Sequence, residues 1–222
     1  MESISLLLVV SLVAVLMGIV TILVRYAPPD YPALDRITKP LTTLLILVIA
    51  LLPGTFFIDR YAAAICLGLV FSSIGDYLLM SPERFLHGLV SFLLALLCYA
   101  VAFFEGLSAN AFVWAAVVLY LAGEGLLAYV RGGLRGGMRA AVRAYVAVTV
   151  FMVALAIGQA AASPSTGTMI AAAGAFLLLV SDSLLAIDRF RRPFHLVHVA
   201  VLGTYYVGQL LIALSVGLCR PA

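Results

Sequence analysis

The chain has 222 residues, of which 65% are hydrophobic and only 10% are charged, and its mean hydropathy is +1.20. A soluble domain carries about 25% charged residues because its surface must be hydrated. The charge present is too little to cover a soluble globule, which excludes soluble enzymes, soluble nucleic-acid-binding proteins and secreted scaffolds. The composition therefore predicts a single integral membrane domain over residues 1–222.

Long apolar runs, taken in chain order, predict membrane-spanning helices. A helix needs about 20 mostly apolar residues to cross the hydrocarbon core. Breaks rich in Pro, Gly and charge separate eight such runs, which occupy residues 3–25, 37–53, 60–80, 87–105, 109–130, 139–161, 167–187 and 194–217. Their continuous apolarity predicts an all-α, polytopic helical bundle, because the strands of a β-barrel would alternate in hydropathy. No basic segment precedes the first run, so we expect a retained span and not a cleaved signal peptide.

Basic residues mark one side of the membrane. Eight spans put both termini on the same side as the loops that follow spans two, four and six. Of the 13 Lys and Arg residues, only Arg60 and Arg220 fall on that side. The positive-inside rule then places the odd-numbered loops in the cytoplasm and both termini outside. Because arginine greatly outnumbers lysine, we expect a bacterial protein of the plasma (inner) membrane.

The ends of spans three and seven are similar in sequence. Residues 76–85 (DYLLMSPERF) and 182–190 (DSLLAIDRF) differ by one residue in length, and a histidine opens the next span in each case. Two halves of four spans would have the same orientation, as parallel repeats do in some transporters. The similarity is consistent with two parallel four-helix halves. It is equally consistent with the few residue types that membrane helix ends use.

Ionisable side chains inside apolar spans are costly and are candidates for function. They lie at the cytoplasmic ends of six spans: Lys39, Asp76, His87, Glu124, Asp182, His195 and His198. Boundary placement accounts for Lys39, His87 and His195. Asp76 and Asp182 need another explanation, because a short carboxylate cannot reach far toward water.

Polar residues accompany both aspartates. Ser72 lies one turn before Asp76, and Ser181 precedes Asp182. In a polar, water-filled cavity between the helices, two carboxyls would share a single proton near neutral pH. Such a pair is suited to general acid–base catalysis. A structural pair held by Ser and Tyr hydroxyls is an equally open interpretation.

Span eight adds a polar face to this cavity. His198, Tyr205 and Gln209 are spaced by seven and four residues, so they lie on one side of the helix. Tyr206, next to Tyr205, and Tyr145 on span six are further candidates for contact with a substrate. Glu124 remains open between a local partner for an arginine and an accessory residue of the cavity.

Five segments, in order along the chain, resemble the YhhN-type lysoplasmalogenases. They are residues 39–43 (KPLTT), 71–80 (FSSIGDYLLM), 85–99, 180–186 (VSDSLLA) with Arg189-Phe190, and 204–212 (TYYVGQLLI). The resemblance implies an eight-helix enzyme that hydrolyses the vinyl-ether bond of lysoplasmalogens. Its products would be a fatty aldehyde and glycerophospho-ethanolamine or -choline, with water as the second substrate and no cofactor.

The resemblance, together with the polar pattern, predicts the site. Asp76 and Asp182 are the predicted catalytic pair, and which of them is the acid stays open. Lys39 would bind the lipid phosphate as a point charge. The predicted substrate-binding residues are Lys39, Ser72, Tyr145, Ser181, His198, Tyr205, Tyr206 and Gln209. The chain departs from the family at Leu96, where a histidine is frequent, so that histidine is dispensable or substrate preference is altered.

Other functions fit the pattern less well. Gly75-Asp76 is similar to the GxGD string of intramembrane aspartyl proteases, but Ser73 replaces its first glycine and no Tyr-Asp dipeptide is present. A proton-coupled transporter, with the carboxyls as a proton relay, is the stronger alternative. Transporter helices tend to be broken by Gly or Pro, whereas here Pro40 alone falls within a span, in its first turn as we expect. The basic loop 131–143 follows from the topology, so we predict no nucleic-acid partner, and the histidine spacing predicts no metal site.

Overall fold

The computed structural model describes residues 2–26, 32–54, 56, 59–192 and 196–219. Within these ranges the regular elements are all helical, which confirms the all-α class. Eight α-helices follow one another: α1 (Glu2–Tyr26), α2 (Pro32–Leu51), α3 (Arg60–Leu78), α4 (Phe85–Phe103), α5 (Ala109–Val130), α6 (Gly137–Ala162), α7 (Thr166–Phe190) and α8 (Val197–Leu218). Each coincides with one predicted span.

Seven of the helices in the described ranges, α1 and α3 to α8, are long and apolar enough to cross a membrane. Helix α2 is not among these seven, because its continuous stretch with described side chains, Ile37–Leu51, is shorter than a full span. This helix nevertheless packs against α1, α3 and α8 within the bundle. Eight crossings, the orientation derived from them and the two parallel halves therefore stay predictions.

Pro40 does not lie where the sequence predicted. The apolar run suggested that α2 begins near residue 37, with Pro40 in its first turn. The helix in fact begins at Pro32, so Pro40 lies in its interior. The polar residues before the run continue the helix, and they extend it beyond the hydrophobic segment by more than one turn.

Local capping fixes where two of the helices begin. The Asp59 carboxylate accepts a hydrogen bond of 2.9 Å from the backbone N–H of Tyr61 at the start of α3. At the start of α7, Ser165 and Thr168 form a capping box, in which each side chain bonds the backbone of the other residue. These bonds satisfy N–H groups that a helix leaves unpaired at its first turn.

Glycines allow close packing of the helices that carry the polar residues. A Cβ atom on Gly174 of α7 would lie 2.7 Å from the carbonyl oxygen of Gly208 on α8. The two backbones are therefore in direct contact, as small residues permit in membrane bundles. Between α3 and α4, Gly75 leaves room for the Phe92 ring beside Asp76, since a Cβ atom there would lie 2.6 Å from that ring.

Candidate active site

A cavity of about 130 Å³ lies among α2 to α8. Leu, Val, Ala and Phe side chains form most of its wall, with a small number of polar groups, as in many sites for small molecules. Asp76 reaches it from α3 and Asp182 from α7, so the two predicted catalytic aspartates meet in one space although they are far apart in the chain. Their predicted roles are not tested by this placement.

Three side chains hold the Asp76 carboxylate. The Thr43 hydroxyl donates a hydrogen bond of 2.6 Å to Oδ2, and the Tyr205 hydroxyl donates one of 2.9 Å to the same oxygen. Nζ of Lys39 lies 3.1 Å from Oδ1. Asp76 has 0% of its side chain exposed, and Lys39 has 12%. The cation and the two hydroxyl donors favour the charged form of this carboxylate, whereas its complete burial opposes that form.

The ion pair bears on the predicted role of Lys39. The sequence predicted that Lys39 binds the phosphate of a lipid. The structure places this lysine on the cavity wall, but its ammonium group is engaged by the buried Asp76 carboxylate. A phosphate would therefore have to compete with the Asp76 carboxylate for the Lys39 ammonium group.

Asp182 has different surroundings. Its Oδ2 atom accepts a hydrogen bond of 3.0 Å from the Tyr145 hydroxyl of α6, and its side chain is only partly buried. Within the described part of the chain, no cation pairs with this carboxyl. Ser181 beside it also lines the cavity, and its hydroxyl donates to the carbonyl oxygen of Val201 at 2.9 Å. The two aspartates of the pair thus differ in the groups that surround them.

Ser72 and Gln209 belong to a second polar cluster outside the cavity lining. The Tyr99 hydroxyl donates a hydrogen bond of 2.7 Å to Oε1 of Gln209, and Nε2 of Gln209 donates one of 3.0 Å to the Ser72 hydroxyl. All three residues are buried. The sequence predicted that Ser72 and Gln209 line a polar cavity. Neither residue is part of the cavity lining, which is largely apolar. The ring of Tyr99 fills the space that Gly68 leaves free, and the cluster is buried in the core.

Two further candidates, Tyr206 and His198, do not belong to the cavity lining. Tyr206 is buried and packs against the Tyr205 ring with a centroid distance of 5.2 Å, and it is not part of the cavity lining. His198 is partly buried and likewise does not line the cavity. His195 lies outside the described residues. Direct contact of Tyr206 and His198 with a substrate stays a prediction without support from their position.

The two alternatives for Glu124 can now be separated. Its carboxylate lies 3.0 Å from the Arg143 guanidinium, at the exposed surface of α5 and α6. Glu124 does not line the cavity, although its neighbour Gly123 does. The interpretation as a local partner for an arginine is therefore the one that the structure confirms.

Sequence reasoning missed three residues of the site region. Thr43 lies four residues after Lys39, which was a signal that both share one face of α2. Tyr99 gave no such signal, because a tyrosine in an apolar span is ordinarily a packing residue. Arg189 lines the cavity as well. It had been counted among the cytoplasmic charges and within a segment that resembles the family, but it had not been assigned to the site.

Comparison with known proteins gives a consistent group of relatives. A sequence model of the YhhN family matches residues 34–216. Lysoplasmalogenase TMEM86A of Bos taurus is 33% identical over 159 residues, which cover 69% of this chain and 65% of that protein. Lysoplasmalogenase TMEM86B of Sus scrofa is 32% identical over 159 residues, with 70% and 64% covered. The uncharacterized membrane protein YhhN of Escherichia coli O157:H7 is 29% identical over 178 residues, with 80% and 84% covered.

The chain thus spans slightly less than two thirds of the length of these mammalian relatives. No solved structure matches it. The apolar helices and the membrane-protein relatives agree that it is an integral membrane protein.

Proposed function

The chain belongs to the YhhN family, and from this we propose that it is a membrane hydrolase that cleaves the vinyl-ether bond of lysoplasmalogens. The names of the mammalian relatives support the substrate class. The observation that carries the proposal is the meeting of Asp76 and Asp182 in one largely apolar cavity. The products would be a fatty aldehyde and glycerophospho-ethanolamine or -choline.

We assign the first proton transfer to Asp182. A vinyl ether is hydrolysed by transfer of a proton to the carbon β to the ether oxygen, which creates an oxocarbenium ion. Asp182 faces the cavity, and within the described residues it has a hydroxyl donor but no paired cation. A carboxyl in such a place retains a proton more readily than one beside an ammonium group. While Oδ2 accepts from Tyr145, the proton on Oδ1 is available to the substrate.

Asp76 has the complementary role. Lys39, Thr43 and Tyr205 hold it as a fixed anion, so it is a poor proton donor. Because Lys39 balances its charge, Asp76 acts as part of a fixed ion-pair dipole, and it also orients the Tyr205 hydroxyl, which belongs to the cavity wall. Fixed charges of this kind are effective because they need no reorganisation during the reaction.

Water completes the reaction. After donating its proton, the Asp182 carboxylate faces the oxocarbenium ion and stabilises it. A water molecule adds to the cationic carbon and returns a proton to this carboxylate, which gives a hemiacetal. The hemiacetal then loses its hydroxyl proton, the carbon–oxygen bond to glycerol breaks, and the glycerol oxygen takes a proton. Glycosidases use two carboxyl groups around a similar cation, and this is an analogy only.

The cavity walls suit the fatty chain of such a substrate. Leu89 and Phe92 of α4, Leu119 of α5 and Leu179 of α7 line the space around the two carboxyls. These walls are about as apolar as the lipid tails of the bilayer, so a chain that comes from the bilayer moves into the cavity at little cost, whereas transfer from water would contribute about 0.8 kcal/mol per CH₂. We expect the chain to enter sideways from the bilayer, and the predicted orientation puts the site near the cytoplasmic face of the bacterial inner membrane.

One experiment tests the function directly. Purified protein is incubated with a lysoplasmalogen, with the saturated alkyl-ether analogue and with the acyl analogue, and free aldehyde and free fatty acid are measured. We expect aldehyde from the vinyl ether alone. Fatty acid from the acyl analogue would indicate a lysophospholipase, and flux into sealed vesicles without any product would favour the transporter alternative.

Variants test the residues. Asp182→Asn should lower turnover by about 10²- to 10⁴-fold, the range for loss of a general acid. Asp188→Asn is the matched control, because Asp188 lies on the same helix but does not line the cavity. Wild-type turnover in a folded Asp182→Asn protein would refute the assignment of the acid.

A further inference from the structure

The cavity has two basic residues in its lining, Lys39 and Arg189. The ammonium group of Lys39 is neutralised by Asp76 at 3.1 Å. Arg189 lies near the end of α7, and its side chain is exposed. Across the described ranges, no carboxylate forms an ion pair with Arg189. The positive charge available to an incoming anion is therefore that of the arginine.

Aromatic rings hold Arg189 at the cavity. Its guanidinium carbon lies 4.9 Å from the centre of the Phe85 ring, a cation–π contact. Phe85 in turn packs edge-to-face against Phe190, with a centroid distance of 6.1 Å. All three side chains line the cavity. A stacked guanidinium keeps its edge free, and that edge carries the N–H groups that bind a phosphate in bidentate fashion.

The distance from Asp182 to Arg189 fits the proposed substrate. Arg189 follows Asp182 by seven residues, which is close to two turns, so both project from the same face of α7. The two positions are separated by about 10.5 Å along the helix axis. In a lysoplasmalogen about seven covalent bonds separate the carbon to be protonated from the phosphorus, which span about 8 Å in an extended chain. The long Arg189 side chain is able to cover the remaining ~2 Å along the helix axis.

We propose that Arg189 binds the anionic phosphate of the substrate headgroup at the mouth of the cavity, and so places the vinyl ether beside Asp182. This assignment rests on the proposed function, and it replaces Lys39 as the phosphate-binding residue. Specificity then depends on two residues in the last third of α7: the Asp182 carboxyl acts on the ether, and the Arg189 guanidinium binds the phosphate at a set distance from it.

A binding experiment tests the proposal without turnover. The purified protein is titrated with a saturated 1-O-alkyl lysophosphatidylethanolamine, which lacks the reactive double bond, and with 1-O-alkylglycerol, which also lacks the phosphate. Arg189→Gln should weaken binding of the phospholipid by about 10- to 100-fold, as expected for loss of hydrogen bonds to a charged group. Binding of the alkylglycerol should be unchanged.

Matched variants sharpen this result. Arg191→Gln removes an equal charge two residues away, from a guanidinium that lies over the Tyr129 ring at 5.1 Å and is not part of the lining. It should bind both lipids as the wild type does. Arg189→Lys retains the charge but loses the planar fork, so its affinity for the phospholipid should be intermediate. This variant also covers the case in which Arg189→Gln does not fold.

The outcomes are distinct. Equal losses in Arg189→Gln and Arg191→Gln would overturn the proposal, since the effect would then be one of general charge. An equal loss for the two lipids would also overturn it, since the arginine would then act on the fold and not on phosphate. Inorganic phosphate serves as a further probe: binding of phosphate alone that depends on Arg189, without any preference for the phospholipid, would assign the site to the free anion. If the wild type hydrolyses no lysoplasmalogen, the proposed function fails, and the binding titrations still decide the role of Arg189.

Discussion

The ion pair between Lys39 and Asp76 gives the sharpest test of how the site is held together. Lys39→Met removes the cation but retains most of the volume of the side chain. The Asp76 carboxylate, with 0% exposure, then keeps only its hydroxyl donors from Thr43 and Tyr205. Removal of one partner from a buried pair costs about 3–5 kcal/mol, because a buried charge loses its compensation. We expect Lys39→Met to lower the free energy of unfolding by an amount in this range.

The double variant Lys39→Met/Asp76→Asn measures the interaction between the two side chains apart from their contacts with other residues. With neither charge present, no uncompensated ion is left, so the double variant should be less destabilised than the sum of the two single variants. The difference should be about 2 kcal/mol, within the range of coupling energies for residues in contact. The measurement is reversible unfolding in mixed micelles, followed by circular dichroism for all four proteins.

An exposed ion pair in the same protein provides the control. Nη1 of Arg60 lies 3.2 Å from Oε1 of Glu105, and 63% and 64% of these side chains are exposed. Arg60→Gln should change the free energy of unfolding by less than about 1 kcal/mol, since water already solvates both ions. If Lys39→Met costs no more than Arg60→Gln, or if the cycle is additive, the pair does not hold Asp76. Normal stability with weaker binding of the phosphate analogue would return Lys39 to the role that the sequence first suggested.

Three further changes test neighbouring parts of the structure. Tyr145→Phe removes the hydroxyl donor to Asp182 and should lower turnover by about tenfold without loss of stability beyond about 1 kcal/mol; unchanged turnover would show that this bond does not orient the acid. Gly174→Ala places a methyl group against the Gly208 carbonyl and should destabilise the protein by about 1–3 kcal/mol in the same unfolding assay, whereas a neutral result would show that α7 and α8 can separate freely. Ser165→Ala removes the cap of α7 and should cost about 1 kcal/mol; exchange of amide hydrogens at the first turn should rise with it, and protection equal to that of the wild type would contradict the capping role.

The helices were predictable because hydrocarbon imposes a length and an apolar composition on each span. The start of α2 was not predictable in this way, because the helix begins at Pro32, five residues before the apolar run that starts at Ile37. Charge and turn residues mark where the hydrophobic run ends. They do not mark where the backbone stops being helical, since polar residues can continue a helix into the interface.

Side-chain partners were harder to predict than helices. That Asp76 and Asp182 face one cavity could be expected from their similar depth in the membrane, because a carboxylate within a span faces the interior of the bundle and pairs with polar groups there. That Lys39 pairs with Asp76 depends on how α2 and α3 are rotated about their axes, which a single sequence does not reveal. Ser72 lies one turn before Asp76, the spacing expected of a cavity residue. Its hydroxyl instead contacts the Tyr99 hydroxyl of α4 within the buried core.

The contact between Gly174 and Gly208 has a consequence for the range of lipids that the cavity can accept. Because the backbones of α7 and α8 touch there, neither helix can slide along the other to admit a longer or bulkier tail. For the proposed lipid substrate, accommodation is then expected from another helix of the wall, such as α5, which contributes Leu119 and Gly123 to the cavity. We therefore expect the size of the α5 residues in the cavity to decide which alkyl-chain lengths the protein accepts. Substitutions there should change this range while the spacing between Asp76 and Asp182 stays the same.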